Sequence, residues 1–322
     1  MRQNHLAILT FENDIHALAV QQVLNEYDTI TCSIVETNRI CDSSDLCWSN
    51  IETSEFGHTL PARGGELLDV RELDVIWWRR SRFPQKVPSS VTDPIHIDLI
   101  NNDCRAALLG LLLNEFSGSW INEPAATQLA ENKLVQLRVA QQAGFRVPRT
   151  LVTQNPGKIR QFCATLDNKV VVKAIQGTRE FNFLTVMFEE HLASDESLRL
   201  CPAIYQEYVP GNQHIRAHCF GDAVYPVLVE SEELDWRGNL NIPFRIFDVA
   251  EDVKIRLRIV LKALGLKMGI VDLKLTQEAI PTWLEINPQG QFLFAEALSG
   301  LNLTSAFAAF LAEEARQVSH RV

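Results

Sequence analysis

The sequence predicts an α/β protein of more than one domain, and three observations carry that prediction. The first third alternates short apolar strands with helices. The last third holds two antiparallel hairpins separated by one long amphipathic helix. The length, 322 residues, exceeds one typical hydrophobic core and implies two or three packed domains.

Composition narrows the class. An apolar share of 46% is ordinary for a globular chain, and the longest apolar run, 106–113 with one glycine, is far too short to cross a bilayer. The start, Met1-Arg2-Gln3-Asn4-His5 before an apolar run over 6–11, reads as a first strand rather than a secretory segment. Seven cysteines, with no Cys-x-x-Cys pair, fit buried thiols in a reducing cytoplasm better than disulfides or a zinc knuckle. The net charge of −10 argues against binding nucleic acid or an anionic membrane surface, so any phosphate site has to be made locally cationic.

In chain order, 6–11 reads as a strand, 14–26 as a helix, 30–35 as a strand and 74–78 as another, which together give a small α/β domain. Residues 41–66 are polar and turn-rich, without a clear period. The strand 74–78 ends in Trp77-Trp78-Arg79-Arg80; two guanidinium groups at a strand end suit a ligand site or a surface ion pair equally. A helix is expected over 94–116, with Pro94 in its first turn and Ser117-Gly118 at its end. A second helix over 134–143 stops at Gly144.

Further on, Asn155-Pro156 caps a helix running to 166, and Val170-Val171-Val172 is a buried strand from which Lys173 emerges, placed as a point charge for phosphate. Many strands end in an exposed lysine, so the placement alone is weak. A strand from 203 runs into a turn at 210–211. His214 and His218 follow on a new strand that returns through Gly221-Asp222. The two histidines stand roughly 13 Å apart on a strand, too far to share a metal easily. Asp248 is expected to cap the helix that ends at Gly265.

The strongest local signal is the second hairpin, with flanks 268–275 and 281–290. Both flanks alternate with period two, and a loop centred between Glu278 and Ala279 sets Asp272 opposite Glu285, with Asn287 on the same face. Like charges facing each other across a ladder are destabilising unless a cation joins them. Two carboxylates and an amide oxygen suit Mg²⁺, which keeps its other positions for water and phosphate. The alternative is one carboxylate solvated beyond the sheet edge. A helix over 304–317 closes the reading.

Together, Asn132-Lys133, Val172-Lys173, Gln206-Glu207-Tyr208-Val209, Ile215-Arg216, Asp235-Trp236-Arg237, Val271-Asp272 and Glu285-Ile286-Asn287-Pro288 resemble an ATP-grasp ligase in order and spacing. The resemblance covers the chain from about 119 onward. With Trp77 to Arg80, Thr153-Gln154-Asn155-Pro156 and Glu285 to Gly290, the sequence most resembles the macrocyclising ligases of microviridin-type peptides, the graspetides; RimK-like ligases are wider relatives.

The resemblance implies an N-terminal pre-ATP-grasp α/β domain (1–118) before a two-lobed α+β grasp fold (119–202 and 203–322). It also implies ATP and Mg²⁺ as cofactors. Lys133 and Lys173 would hold phosphates, the backbone of Gln206, Glu207, Tyr208 and Val209 would meet adenine, and His214 would take a place beside the nucleotide. Asp272, Glu285 and Asn287 would bind metal, Arg216 would steady the transferred phosphoryl group and the acyl phosphate, and Arg237 would approach the phosphate or the incoming carboxylate. Arg79, Arg80, Glu189 and Glu190 would meet the substrate, implied to be a precursor peptide with a leader segment. A homodimer is implied too. A ligase acting on a free amino acid or small molecule, and a nucleotide-binding regulator without turnover, remain the alternatives.

Overall fold

The computed structural model describes residues 3–43, 45–51, 56–178 and 183–319. Contacts divide the chain into two compact units, Met1–Pro124 with Gln291–Leu293 and Asn302–Val322, and Ala125–Gly290 with Phe294–Leu301.

The first unit begins with β1 (Asn4–Thr10), α1 (Ile15–Leu24), β2 (Ile30–Glu36), the short hairpin β3 (Thr59–Pro61) and β4 (Leu67–Asp69), and β5 (Val75–Trp78). It continues with α2 (Pro94–Glu115) and β6 (Ser119–Ile121). Four strands form a parallel sheet in the order β2-β1-β5-β6. They are apolar on both faces because helices cover both, as parallel sheets require. On one side Ala7, Leu9, Ile76 and Trp78 pack with Leu108, Leu111 and Leu112 from the second half of α2. Asp14 caps α1 by accepting from the His16 amide. Helix α2 ends where expected, at Glu115 with Phe116 as its cap, and the lack of a Cβ at Gly118 allows close approach to the Asp74 carbonyl.

The second unit runs through α3 (Pro124–Ala130), α4 (Lys133–Gln142), β7 (Thr150–Thr153), α5 (Pro156–Ala164), β8 (Val170–Lys173), β9 (Val186–Met187), α6 (Asp195–Leu200) and β10 (Ala203–Glu207). It goes on with β11 (Gln213–Phe220), β12 (Ala223–Glu230), β13 (Phe244–Ile246), α7 (Glu251–Ala263), β14 (Met268–Leu275) and β15 (Pro281–Asn287). One antiparallel sheet has the order β7-β10-β8-β9 and a second the order β13-β12-β11-β14-β15.

Helix α7 presents Val253, Leu257, Val260 and Leu261 to one face of the five-stranded sheet, against Ile215, Ala217, Val271, Leu273, Trp283 and Ile286. Burying that face leaves the alternate residues His214, Arg216, Asp272 and Lys274 together on the other. Asp248 does not cap α7: it pairs with Lys254 at 2.8 Å, and Ala250 holds the cap position without a side-chain bond. Gly265 ends the helix with φ +70°, a conformation open to glycine at little cost.

Helices α8 (Leu293–Ser299) and α9 (Leu303–Ser319) close the chain. The sequence places 304–317 with the C-terminal lobe, whereas α9 belongs to the first unit. Its Phe307, Ala308, Leu311, Ala312 and Ala315 are fully buried, and the Phe307 ring meets Trp77 at 4.7 Å. Alanines at these spacings bring the helix axis close to its neighbours.

The hairpin β14–β15 pairs Asp272 with Glu285 as expected, but its loop is centred differently. Leu275 faces Pro281, Lys274 faces Thr282 and Leu273 faces Trp283, so the turn centres on Glu278. A bulge beside Asp272 then inserts Leu284 and restores the Asp272–Glu285 pairing. The extra residue has a clear cause in side-chain parity. Trp283 and Glu285 are two apart, and on a regular strand an indole and a carboxylate would share a face. The bulge sends Trp283 into the core at 0% exposure and turns Glu285 away from it.

Candidate active site

A cleft lies within the second unit. Lys133 reaches it from the first position of α4, Val171 and Lys173 from β8, and Gln206, Glu207, Tyr208 and Val209 from the end of β10. His214 enters from β11, Asp235, Trp236 and Arg237 from the loop after β12, and Asp272, Lys274, Leu284 and Glu285 from the hairpin. Residues separated by more than 150 positions in sequence are thus brought to one wall by the two sheets.

The carboxylates are held by cations. Nη1 of Arg216 donates to both oxygens of Asp272 at 2.9 Å. Glu285 accepts from Nη1 of Arg237 at 3.1 Å and lies 3.5 Å from Nζ of Lys133. Arg237 also grips Asp235 with two parallel bonds of 2.8 and 2.6 Å, while Asp235 takes the Thr185 amide at 2.9 Å. Lys133 donates to the Ala174 carbonyl at 3.2 Å.

Electrostatics splits the opposed acids. Burial pushes Asp272 above the usual carboxylate range against the pull of Arg216. Burial acts the same way on Glu285, but Lys133, Arg237 and Lys173 outweigh it and hold that carboxyl low. Burial also lowers the Lys173 ammonium to about 8. Lys133, Lys173, Lys274 and Arg237 line the cleft with Asp235, Asp272, Glu285 and Glu207, and because the Glu207 carboxylate turns to the Arg149 amide, a locally cationic basin sits in a chain of net charge −10. That balance suits a polyphosphate.

The donor chemistry also fits a hard divalent cation. Desolvated Asp272 gains from added positive charge, and Glu285 faces it across the ladder. Among the described residues, no cluster of three or more His, Cys, Asp or Glu side chains could hold a metal by itself. A cation here would be held by Asp272 and Glu285, with amide, water or phosphate oxygen needed besides, which suits Mg²⁺.

Not every expected residue joins the cleft. Arg216 stands behind Asp272, 6% exposed, its guanidinium 5.7 Å from the Trp236 ring centroid and 5.3 Å from that of Phe294. Asn287 is exposed in an adjoining cleft with Lys133 and Glu285, and its side chain accepts the Gln289 amide at 2.9 Å. The Glu207 carboxylate points to the Arg149 amide at 3.1 Å, so what it lends the cleft is chiefly its place in the strand.

Arg79 is the clearest correction: it is fully buried in the first unit and paired with Asp14 at 2.6 Å, so it is not presented to a substrate. Arg80, in the same unit, is half-buried and outside the cleft. Glu190 pairs with Arg160 at 3.1 Å and Glu189 with His191 at 3.6 Å; neither lines the cleft. Positions 179–182 of the loop after Lys173 lie outside the described residues. The sequence reading gave no role to Asp235 or Lys274, although each stands two residues from an assigned one and shares its parity.

Two antiparallel sheets around a cleft of lysines, arginines and opposed acids define the class: the chain has the fold of the ATP-grasp ligases. It is similar to the macrocyclase MdnC of Microcystis aeruginosa MRC, bound with precursor peptide MdnA, at 24% identity and TM-score 0.84 over 96% of this chain and 99% of that one. It is also similar to a Chryseobacterium gregarium RiPP-associated ATP-grasp ligase in complex with ADP and a leader and core peptide, at 18% identity and TM-score 0.83 over 97% of both chains. A third likeness is to the ATP-grasp ligase PsnB complexed with minimal precursor, Mg and ADP, at 19% identity and TM-score 0.78 over 96% of this chain and 97% of that one. No family model and no curated protein matches the sequence.

Proposed function

We propose that the protein is an ATP- and Mg²⁺-dependent carboxylate ligase that joins Asp or Glu side chains of a ribosomally made precursor peptide to Ser/Thr hydroxyls or Lys amines, through an acyl phosphate. The observation that carries this reading is the Asp272–Glu285 pair, set opposite each other and ringed by Lys133, Lys173 and Arg237 in one cleft. The likeness to peptide-bound ligases along nearly the whole chain supports the choice of substrate.

In this reading Lys133 and Lys173 bind phosphates, and the strand end at Gln206 to Val209 lines the place of the base. Arg216 acts by fixing the orientation of Asp272, and Arg237 is held beside the acids by a fork that bridges Asp235 and Glu285. Asp272, Glu285 and Asn287 would hold Mg²⁺, which supplies charge neutralisation to a phosphoryl group in transfer. The cleft needs no nucleophile of its own, since the acceptor brings it. A homodimer located in the cytoplasm completes the proposal, and light scattering tests the dimer.

The experiment is incubation with ATP, Mg²⁺ and a candidate precursor peptide. It should release ADP and remove one water from the peptide per bond formed, read by mass spectrometry. Asp272→Asn and Glu285→Gln should each reduce turnover by at least about a hundredfold with folding retained. Full activity in both variants refutes the assignment. ADP release with a free amino acid and no peptide moves the function to small-molecule ligation.

A further inference from the structure

Strand β15 carries Glu285 and Asn287 and is the outer strand of its five-stranded sheet, so its far edge has to satisfy its peptide groups without a further strand. At Ile286, the residue between those two, a side chain does so. Oε1 of Gln136 accepts the Ile286 amide at 3.0 Å, and Nε2 donates to the Ile286 carbonyl at 2.9 Å. The carboxamide thus takes the place of a neighbouring strand. Nε2 also donates, at 2.6 Å, to the carbonyl of Ala130, the last residue of α3.

Gln136 is 3% exposed and lies one turn past Lys133 on the same face of α4. Helix α4 therefore meets β15 twice. Nζ of Lys133 lies 3.5 Å from Glu285, and the Gln136 carboxamide grips the residue that follows. A buried amide engaged through both its oxygen and its nitrogen is held rigidly, and it holds its partners in turn.

The place of this clamp gives it a bearing on the chemistry. On one side of Glu285 the bulge at Leu284 interrupts the ladder, and on the other Gln136 fixes the backbone. Satisfying a sheet edge requires only a hydrogen-bonding group, and water would serve. Holding the edge at a fixed distance from α4 requires a side chain. A hard cation that demands near-ideal octahedral geometry tolerates little play in its ligands.

We propose that Gln136 is a positioning residue for the metal: by gripping Ile286 it sets Glu285 and Asn287 for a divalent cation, and by belonging to α4 it keeps them in register with Lys133. The inference rests on the ATP- and Mg²⁺-dependent reading above. Its consequence is that nucleotide and metal reinforce each other's binding through the joint between α4 and β15.

The test is calorimetric titration of the full chain by ATP, once with Mg²⁺ and once with excess EDTA, beside thermal melting of each variant. Mg²⁺ should tighten ATP binding to the wild-type protein by at least about tenfold. Gln136→Met, of similar length but without the hydrogen bonds, should bring that gain towards one while metal-free ATP binding changes by less than about twofold. Gln136→Ser leaves room for a water to bond to Ile286 but makes no rigid link to α4; it should keep more of the melting temperature than Gln136→Met and lose the same gain. A merely structural role would lower the melting temperature and weaken ATP equally under both conditions. That result overturns the inference, as does an unchanged Mg²⁺ gain in both variants. A wild-type protein that binds no ATP, or whose affinity ignores Mg²⁺, overturns the proposed function instead.

Discussion

Asp14 and Arg79 make an ion pair 2.6 Å across in the interior of the first unit, where Asp14 also accepts from the Thr10 hydroxyl at 2.6 Å and caps α1. Among the described residues, Nη1 and Nη2 of the arginine are buried without hydrogen-bond partners, and its guanidinium carbon lies 5.0 Å from the Trp77 ring centroid. Removing one charge strands the other, so Arg79→Met should lower unfolding free energy by about 3–5 kcal/mol, measured in urea at pH 7. The double change Asp14→Asn with Arg79→Met should recover much of that loss, because neither side chain is then a buried ion. The same residue shows where a sequence stops being legible. Trp77-Trp78-Arg79-Arg80 announces a strand end, but which arginine turns inward depends on α1 supplying Asp14 from 65 positions away. Asp272 and Glu285 could be read because a period of two and a short turn are both local. Their counter-ions Arg237 and Lys133 were assigned to phosphate, and nothing in the spacing shows that they also neutralise the acids.

Among the elements, the bulged strand β15 has the most direct bearing on the site. Deleting Leu284 should leave a regular ladder in which Trp283 and Glu285 are neighbours on opposite faces, keeping the Leu273–Trp283 and Asp272–Glu285 pairings without the bulge. The expected result is a folded variant that still forms ADP; loss of the indole from the core, read by tryptophan fluorescence, would refute the parity argument. Trp283→Ala should cost about 3–5 kcal/mol of stability while leaving Glu285 facing the cleft. The hairpin and its Asp272–Glu285 pairing are legible from period and turn, whereas the loop centres half a residue from the expected place and the bulge restores the register. Strands β3, β4, β6, β9 and β13 span two or three residues and are too short to show any period. Strands β6, β9 and β13 exist because β5, β8 and β12 offer open edges, which is information carried elsewhere in the chain, while β3 and β4 pair only with each other.

For the molecule as a whole, acid should be the main enemy of stability. Burial lowers His16 and His218 to about 3 and His214 to about 4, against an ordinary value of 6.5. Between pH 6.5 and about 4 the unfolded chain binds protons at these three positions and the folded chain does not. Stability therefore falls as pH drops through 6.5, with a limiting slope of about 1.4 kcal/mol per pH unit for each histidine. Urea titrations from pH 7.5 to 5 should show it, and His218→Gln should remove about one proton's share from the second unit. The overall class was legible from alternation and length, because both are properties of composition and order. The allegiance of the last helix was not, because its apolar stripe would suit either unit. That allegiance has a consequence during synthesis. The sheet of β1, β2, β5 and β6 is covered on one face by Phe307, Leu311 and Ala315, so this unit cannot complete its interior until α9 has left the ribosome. These strands therefore become native only after the second unit has been synthesised, and a chain truncated before α9 should emerge with that sheet bare and prone to capture by chaperones.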